Sequence, residues 1–575
     1  MKSRTSFFNP TVLKKDLLRY APVWGLYTVV NFIIFLFTSL GKPAVVVGNV
    51  CDLLEASAVL NFIYALVIAL TVFSDPFRFR TVGVLHAMPL RREGWFLTHT
   101  VSSLLMGIVP NALLALVILP LVRTVYPALP SLWLLACTLE FLFFFGLAVL
   151  SCQLAGNRLG AAFVYGIINF AALLIFVLVD ALYIPTLYGI ELSVDGFSKF
   201  CPVVWLRSNE FIHYNIDYEH DVFTLLGQNT GKWWYLAVCS AIGIGLWAGA
   251  LLLFRKRHME TAGDLIAVRS MAPLYLAMHM LLCGAFFYFL DSIFFSAFPS
   301  LLYGIGMIVG YFTGLMLLHR TVQIFKPKSL LTLLSLAVII IGSVFLVAAD
   351  PLGRVSYVPD PEDVASVTIE NETANPEVIA EVTELHRALI HDRGDDWNTI
   401  PITYQLKSGK TISRYYNCPL SGQTYQLAKS VLSRPELVFG TDDFREFSTH
   451  IQWIYTDIDD FSVVFSNDSL SNFADLGYYH PDLILHKQDL QELLDAIASD
   501  CAEGRMAQQY FLIRNTAGKT MILSFLYDNA DADSINEFSG NRNIYPDYLE
   551  IWDSGSHTMQ YLKQIAAAHN IELTD

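Results

Sequence analysis

FRFRTVGVLHAMPLRREGWFLTHT, residues Phe77 to Thr100, is a basic, proline-broken loop set between two very apolar segments. It carries Arg78, Arg80, Arg91 and Arg92, with only Glu93 against them. Arginines near the ends of membrane helices are retained on the cytoplasmic side, so this loop is expected inside the cell. Every other segment then takes its side by counting crossings outward from it.

The chain is 54% hydrophobic and 13% aromatic but only 15% charged, against about 25% charged residues in ordinary soluble domains. Apolar runs of roughly 18 to 25 residues recur, each long enough to cross about 30 Å of hydrocarbon as a helix. Nine are expected, near 22–40, 57–74, 99–122, 132–152, 160–182, 235–253, 272–290, 298–318 and 330–349. With the start inside, the inner loops receive Arg91 and Arg92, then Arg255, Lys256 and Arg257, then Arg320, Lys326 and Lys328. The outer loops hold only the scattered Lys42, Arg123, Lys199, Arg207 and Lys232. An odd number of crossings sends the tail outside the cell.

Both ends of the chain carry further signals. Lys2, Arg4, Lys14, Lys15 and Arg19 surround an Asn9–Pro10 pair that suits a helix start. Leu13, Leu17 and Leu18 share one side, which predicts an amphipathic helix on the inner membrane surface with Lys14 and Lys15 toward lipid head groups. A basic start that only sets topology explains the same residues equally. No secretory signal peptide is expected, because the amphipathic stretch precedes the apolar run. The tail after residue 349 holds about two thirds of the acids and about two fifths of the lysines and arginines. That sign repels nucleic acid, which is not an expected partner. Eight cysteines stand singly without CxxC pairs or metal spacing, so no metal or cofactor is expected. Cys418 and Cys501 share the tail, where two free thiols are the first expectation and a disulfide between them, in an exported tail, the alternative.

Inside the spans, small and polar residues stand out. Gly306, Gly310 and Gly314 repeat every four residues, as do Gly245 and Gly249, which predicts close helix packing on those faces. Glu140, within CTLEFLFFFG, is the leading intramembrane functional candidate, because a carboxylate at that depth costs several kcal/mol unless paired or watered. His279 is read first as a hydrogen-bonded structural histidine, with a carboxylate partner as the alternative. Asp180 and Asp291 sit at span ends, where interfacial water suffices.

Three stretches carry a family likeness. VLHAMPLRREGWFLTH (Val84 to His99), FRKRHMETAGD (Phe254 to Asp264) and SFFNPTVLKKDLLRYAPVWGLY (Ser6 to Tyr27) resemble the cytoplasmic loops and first segment of ABC-2-type transporter permeases from Gram-positive bacteria. In that family the loop after the second span docks in a cleft of a separate ATPase subunit. The resemblance therefore implies that residues around Val82 to Glu93, with His86, Pro89, Arg91, Arg92 and Glu93, couple ATP hydrolysis to helix movement. A short helix stopped at Pro89 would supply a rigid coupling element, with Arg91 and Arg92 against acids of the partner. The competing account is that these arginines serve topology and bind lipid phosphates. In the second loop Glu260 pairs with Arg257 or Arg255, or is simply a solvated acid. The common ABC-2 pattern has six spans, so the first six here match it and the last three are an addition.

From Pro351 the periodicity changes. Asn375 and Pro376 start a helix with Val378, Ile379, Val382, Leu385 and Leu389 on one face and Gly394 beyond its end. Ile402, Tyr404 and Leu406 alternate, Ser408 and Gly409 turn, and Ile412, Arg414 and Tyr416 alternate back. A second helix with Leu490, Leu493, Leu494 and Ile497 precedes Phe511–Arg514 and Met521–Phe525, which flank Ala517 and Gly518. SGKTI and AGKTM thus occupy equivalent turns, the mark of a duplicated helix-plus-hairpin unit. Neither is a P-loop, since the first glycine is replaced by Tyr404 and Ile513. GQNTGKWW, Gly227 to Trp234, fails on spacing too. Asp457, Asp459 and Asp460, and Asp528, Asp531 and Asp533, lack the glycine and closing glutamate of a calcium loop and read as solvated surface.

The expected fold is a polytopic α-helical membrane protein of about nine transmembrane helices followed by an extracellular α+β domain with an internal duplication. Residues 1–265 form the six-span part, 266–349 three added spans and 350–575 the acidic outer domain. The expected function is the permease subunit of an ABC exporter for an amphiphilic, peptide or lipid-like substrate, a homodimer or heterodimer in the cell membrane lipid. It is not itself an enzyme, and a separate ATPase supplies the energy. The alternative is a non-transporting receptor or scaffold that senses an envelope ligand through its outer domain. A membrane enzyme centred on Glu140 and His279 lacks any recognisable nucleophile or metal set.

Overall fold

The computed structural model describes residues 8–77, 92–217, 220–256, 263–295, 297–369, 371–394, 399–419, 421–438, 451–458, 461–466, 483–485, 487–503, 521–527, 548–551 and 556–568. Among these, nine helices are long and apolar enough to cross a membrane. They are α2 (Ala21–Thr38), α3 (Pro43–Val72), α4 (Arg92–Val122), α5 (Leu129–Leu154), α6 (Arg158–Leu182), α7 (Thr230–Lys256), α8 (Ala272–Phe294), α9 (Pro299–His319) and α10 (Pro327–Ala348). Prolines in the first turn of α2, α3, α5, α8 and α9 cost no hydrogen bond there, because that N–H has no intrahelical acceptor.

The short helix α1 (Pro10–Arg19) precedes them, and the Asn9 side chain accepts from the N–H groups of Thr11 and Val12 at 3.0 and 3.3 Å. Lys14 and Lys15 are exposed as the amphipathic reading requires. Leu18 is 67% exposed, however, and the side chain that α1 buries is Asp16.

Two helices begin well before the apolar run that announces them. α3 starts at Pro43, fourteen residues ahead of its expected start, and carries Asp52 and Glu55 in its first half. α4 starts at Arg92, and its 31 residues span about 46 Å at 1.5 Å each. Hydropathy locates the part of a helix that suits hydrocarbon; it does not see where the hydrogen-bond ladder ends.

α5 is the central helix. It packs against α3, α4, α6 and α7, and 67% of its most apolar stretch is buried. Phe141, Phe144 and Phe145 fill the core with Tyr64, Phe73, Phe96 and Tyr165. Where α5 meets α7, Gly146 and Gly243 lie backbone to backbone, so a Cβ on Gly146 would strike the Gly243 carbonyl. Gly245 and Gly249, expected at such a contact, face open space, because they stand on another side of α7. Gly306, Gly310 and Gly314 do meet a neighbour closely: a Cβ on Gly306 would sit 2.6 Å from the Cys283 carbonyl of α8. The last three spans form their own cluster with the end of α6, including Ala181, Met280, Tyr303, Met307 and Tyr311. No residue of α10 is buried.

Between α6 and α7 stands a hairpin that the sequence reading left as loop, β1 (Ile212–Asp217) with β2 (Val222–Gln228). Its turn residue Asp221 adopts a left-handed φ of 54° and accepts from Ala44 N, the first turn of α3, at 3.0 Å. Tyr214 from the same hairpin donates to Asp52 at 2.6 Å.

Residues Ile184–Leu192 and Val344–Asp575 form a second compact unit. A four-stranded antiparallel sheet runs β4 (Glu372–Thr373), β3 (Val364–Thr368), β5 (Thr399–Leu406), β6 (Thr411–Asn417). The helices α11 (Pro376–His391) and α12 (Gln423–Leu432) follow β4 and β6. Asn375 caps α11, and the β5–β6 turn falls at Ser408 and Gly409 as the alternation predicts. The second sheet runs β11 (Tyr548–Ile551), β10 (Met521–Tyr527), β7 (Ile451–Ile458), β8 (Phe461–Ser466), β9 (Leu483–Leu485). With α13 (Lys487–Ala502) and α14 (His557–Ala568), it repeats the order of the first: two strands, a helix, two strands, a helix, with β8-β7-β10-β11 matching β4-β3-β5-β6. β9 is an added parallel edge. In this frame β10 matches β5, the strand before the first GKT turn, whereas the GKT alignment equates it with β6. β10 is paired on both sides, with β7 and β11, which fixes its position; residues 511–514 and 517–520, the first strand and the turn of that alignment, lie outside the described residues.

His386 of α11 is fully buried and hydrogen-bonds the Tyr404 and Tyr416 hydroxyls at 3.1 and 2.9 Å. Burial, then the nearby Arg414 and Arg387, lower its pKa to about 4. Cys418 is a free buried thiol whose pKa burial pushes up to about 12. The segment from 184 joins this lobe: Gly189 O accepts from Tyr415 N at 3.0 Å, beyond β6, and Tyr188 lies under the Arg393 guanidinium. In the second lobe, buried Asp500 at the end of α13 accepts from the N–H groups of His557 and Thr558 and so starts α14.

Candidate functional site

Two places in the membrane unit gather the residues that chemistry could use: one end of the bundle, rich in arginine, and a polar node deep among α2 to α5.

At the basic end, Glu93 in the first turn of α4 pairs with Arg255 in the last turn of α7 at 2.9 Å. Both placements suit the helix dipole, an acid at an N-terminus and a cation at a C-terminus. Arg92 opens α4 and is exposed. His86, Pro89 and Arg91 of the first loop, and Arg257 and Glu260 of the second, lie outside the described residues. Among the described residues the partner of Arg255 is Glu93 at the start of α4. Around this pair the chain is stitched by main-chain bonds: Gly263 N to Gly156 O at 2.7 Å and Ala267 N to Leu154 O at 2.8 Å. Asn157 donates to Gly263 O, Arg158 to Ser74 Oγ, and Arg320 stands 3.5 Å from Asp264. The ends of α3, α5, α7 and α9 and the starts of α4 and α6 thus meet at one level.

A buried link that sequence reasoning missed joins this end to α1. Asp16 Oδ2 lies 2.6 Å from His99 Nδ1, close enough for an ion pair though off the line of a hydrogen bond, and accepts from Ser102 Oγ at 3.0 Å. Both partners sit on α4, one helical turn apart. An acid on the apolar side of an otherwise basic helix was the available signal.

The node centres on Glu140 of α5, which is fully buried. Its Oε2 is 2.9 Å from Ser57 Oγ and 2.8 Å from Asn61 Nδ2, both on α3 and one turn apart. Asn61 Oδ1 in turn accepts from the Tyr27 hydroxyl of α2 at 3.0 Å, and Tyr27 meets Asn111 of α4 at 3.3 Å. Tyr27 is stacked on Tyr64 with ring centroids 3.7 Å apart. Four helices are tied through one carboxylate and its amide and hydroxyl neighbours. The Ser-x-x-x-Asn spacing on α3 was visible in the sequence, but nothing there says which helix it faces.

His279 stands elsewhere, between α8, α9 and α6. Its Nε2 is 3.1 Å from Thr313 Oγ1 and its ring packs on Tyr275 and Phe163. Its described partners are uncharged, in line with a structural histidine, and they share no residue with those of Glu140. Lys232, expected as a scattered outer cation, is fully buried in the first turn of α7, donates to Asn209 O and lies 3.6 Å from the Phe211 ring centre. Its stem and head are covered by the β1–β2 approach, a tertiary effect no local pattern announces.

Compared with protein-family models, with curated proteins and with solved structures, the chain matches none.

Proposed function

We propose that this chain is the membrane-spanning permease subunit of an ABC transporter, exporting an amphiphilic peptide or lipid-like substrate. A separate ATPase subunit drives it by docking on the basic loop before Glu93, and two permease chains form the working unit. The reading places the protein in the cell membrane with its N-terminus and basic end in the cytoplasm and the acidic α+β unit outside.

The observation that carries it is the Glu93–Arg255 pair. A partner pressing on the first loop would move the start of α4, and the ion pair hands that displacement to the end of α7. The main-chain bonds from 263 and 267 to 156 and 154 hand it on to α5. A loop that served topology alone would need no such linkage.

The test is affinity purification of the detergent-solubilised chain from its own cells, with ATP hydrolysis measured on the product. An ATPase should accompany the wild type and be lost from Arg91→Glu plus Arg92→Glu at unchanged expression. ATPase activity absent from both would overturn the proposal in favour of the receptor reading, with a ligand of the outer unit to be sought.

A further inference from the structure

Few hydrogens are available to the two oxygens of Glu140. Ser57 Oγ has one hydrogen and stands near two oxygens, Leu54 O at 2.6 Å and Glu140 Oε2 at 2.9 Å. The Leu54 carbonyl and an ionised Glu140 are both acceptors only, so the single serine proton can serve just one of them at a time, and Leu54 O is the nearer. Both short contacts are hydrogen-bonded at once only when the carboxyl brings a proton of its own, which an ionised carboxylate lacks. Asn61 cannot lend one by turning its amide, because its Oδ1 accepts from Tyr27 and its Nδ2 therefore faces Oε2 as a donor. The second oxygen, Oε1, is buried and without a hydrogen-bond partner among the described residues. An anion would leave that oxygen bare at the depth where an uncompensated charge is most costly.

We propose that Glu140 is a proton-binding site. The neutral acid donates from Oε2 to Ser57 Oγ, Ser57 donates on to Leu54 O, and Asn61 Nδ2 fills the remaining lone pair of Oε2. The bound proton lets Ser57 bridge α5 and Leu54 O at once; its release leaves the one serine proton to serve either Leu54 O or the carboxylate. Tyr27 from α2, Tyr64 from α3, Cys137 from α5 itself and Lys232 from α7 are the titratable groups nearest it, and α4 offers the neutral Asn111. Lys232, near the far end of α7, is held by Asn209 O and does not replace the proton. The inference stands whether or not an ATPase binds the chain.

Infrared difference spectroscopy of the full-length reconstituted protein, wild type minus Glu140→Gln, tests it. A protonated-carboxyl C=O band assigned to Glu140 should be present at neutral pH, absent from the variant and lost on strong alkalinisation. Only carboxylate bands at Glu140 across about pH 5 to pH 9, the range between ordinary acids and bases, would overturn it. Glu140→Gln should lower the thermal midpoint, since an amide nitrogen that donates to Ser57 has no lone pair for Asn61 Nδ2. Should that variant fail to fold, the wild type alone decides through a hydrophobic carbodiimide. The acid's O–H adds across one N=C bond, proton to nitrogen and oxygen to carbon, and the O-acylisourea rearranges to a stable N-acylurea with no atom lost. A mass adduct on the Glu140 peptide that fades as pH rises supports the site; no adduct there overturns it.

Discussion

α5 and α10 would look alike to any hydropathy scan, and α10 is the more apolar of the two. Yet 67% of the most apolar stretch of α5 is buried and none of α10. The difference lies in what interrupts the apolar run. α5 carries Glu140, Gly146, Ser151 and Gln153, all buried, whereas α10 offers mainly branched aliphatic side chains. In lipid, hydrocarbon gains nothing by leaving hydrocarbon, so a helix is drawn inward by its polar and small residues. The most hydrophobic helix is accordingly the outermost.

Substitutions can break or sharpen that contrast. The largest effect is expected at Glu140→Ala, which strips Ser57 and Asn61 of their partner and opens a cavity. It should destabilise the membrane unit by about 4 kcal/mol, read as the detergent-denaturation midpoint of the full chain.

His386 asks whether a buried polar group behaves alike in the second unit. Its folded pKa of about 4 lies below the ordinary histidine value of 6.5. Above pH 6.5 both states are neutral and stability is unaffected. As pH falls from about 6.5 to about 4 the unfolded state takes up the proton first, so stability is lost, by about 3 kcal/mol in the limit. Hydrogen exchange of the β5 and β6 peptides, normalised to intrinsic rates, should show that loss, and His386→Asn should abolish its pH dependence.

Gly146→Ala and Gly243→Ala should each cost about 2 kcal/mol by overpacking the α5–α7 contact, while Gly245→Ala and Gly249→Ala, which face open space, leave the midpoint in place. The smallest effect belongs to α10: Leu334→Ala and Phe345→Ala should shift stability by less than about 0.5 kcal/mol. A loss as large as that at Gly146 would mean that another surface covers this helix.

The spans were legible because an apolar run of membrane length has few other uses, and the β5–β6 hairpin because Ile402, Tyr404, Ile412 and Tyr416 alternate around Gly409. The repeat of the second unit was legible in kind but misaligned, since two short GKT strings weighed more than strand order. What stayed hidden is tertiary. Asp16 against His99, Ser57 and Asn61 against Glu140, Lys232 under Phe211 and Gly243 in place of Gly245 each depend on which face meets which helix. A polar residue in a span announces that it needs a neighbour; it does not name one.

The chain enters its second unit twice, once through Ile184–Leu192 on its way from α6 to α7 and once at Val344, in the last turns of α10. Its fold is therefore assembled from two separate stretches of chain. Severing the chain just after α10 would, for the same reason, leave the acidic unit still held by Gly189 and Tyr188 on the far edge of its first sheet.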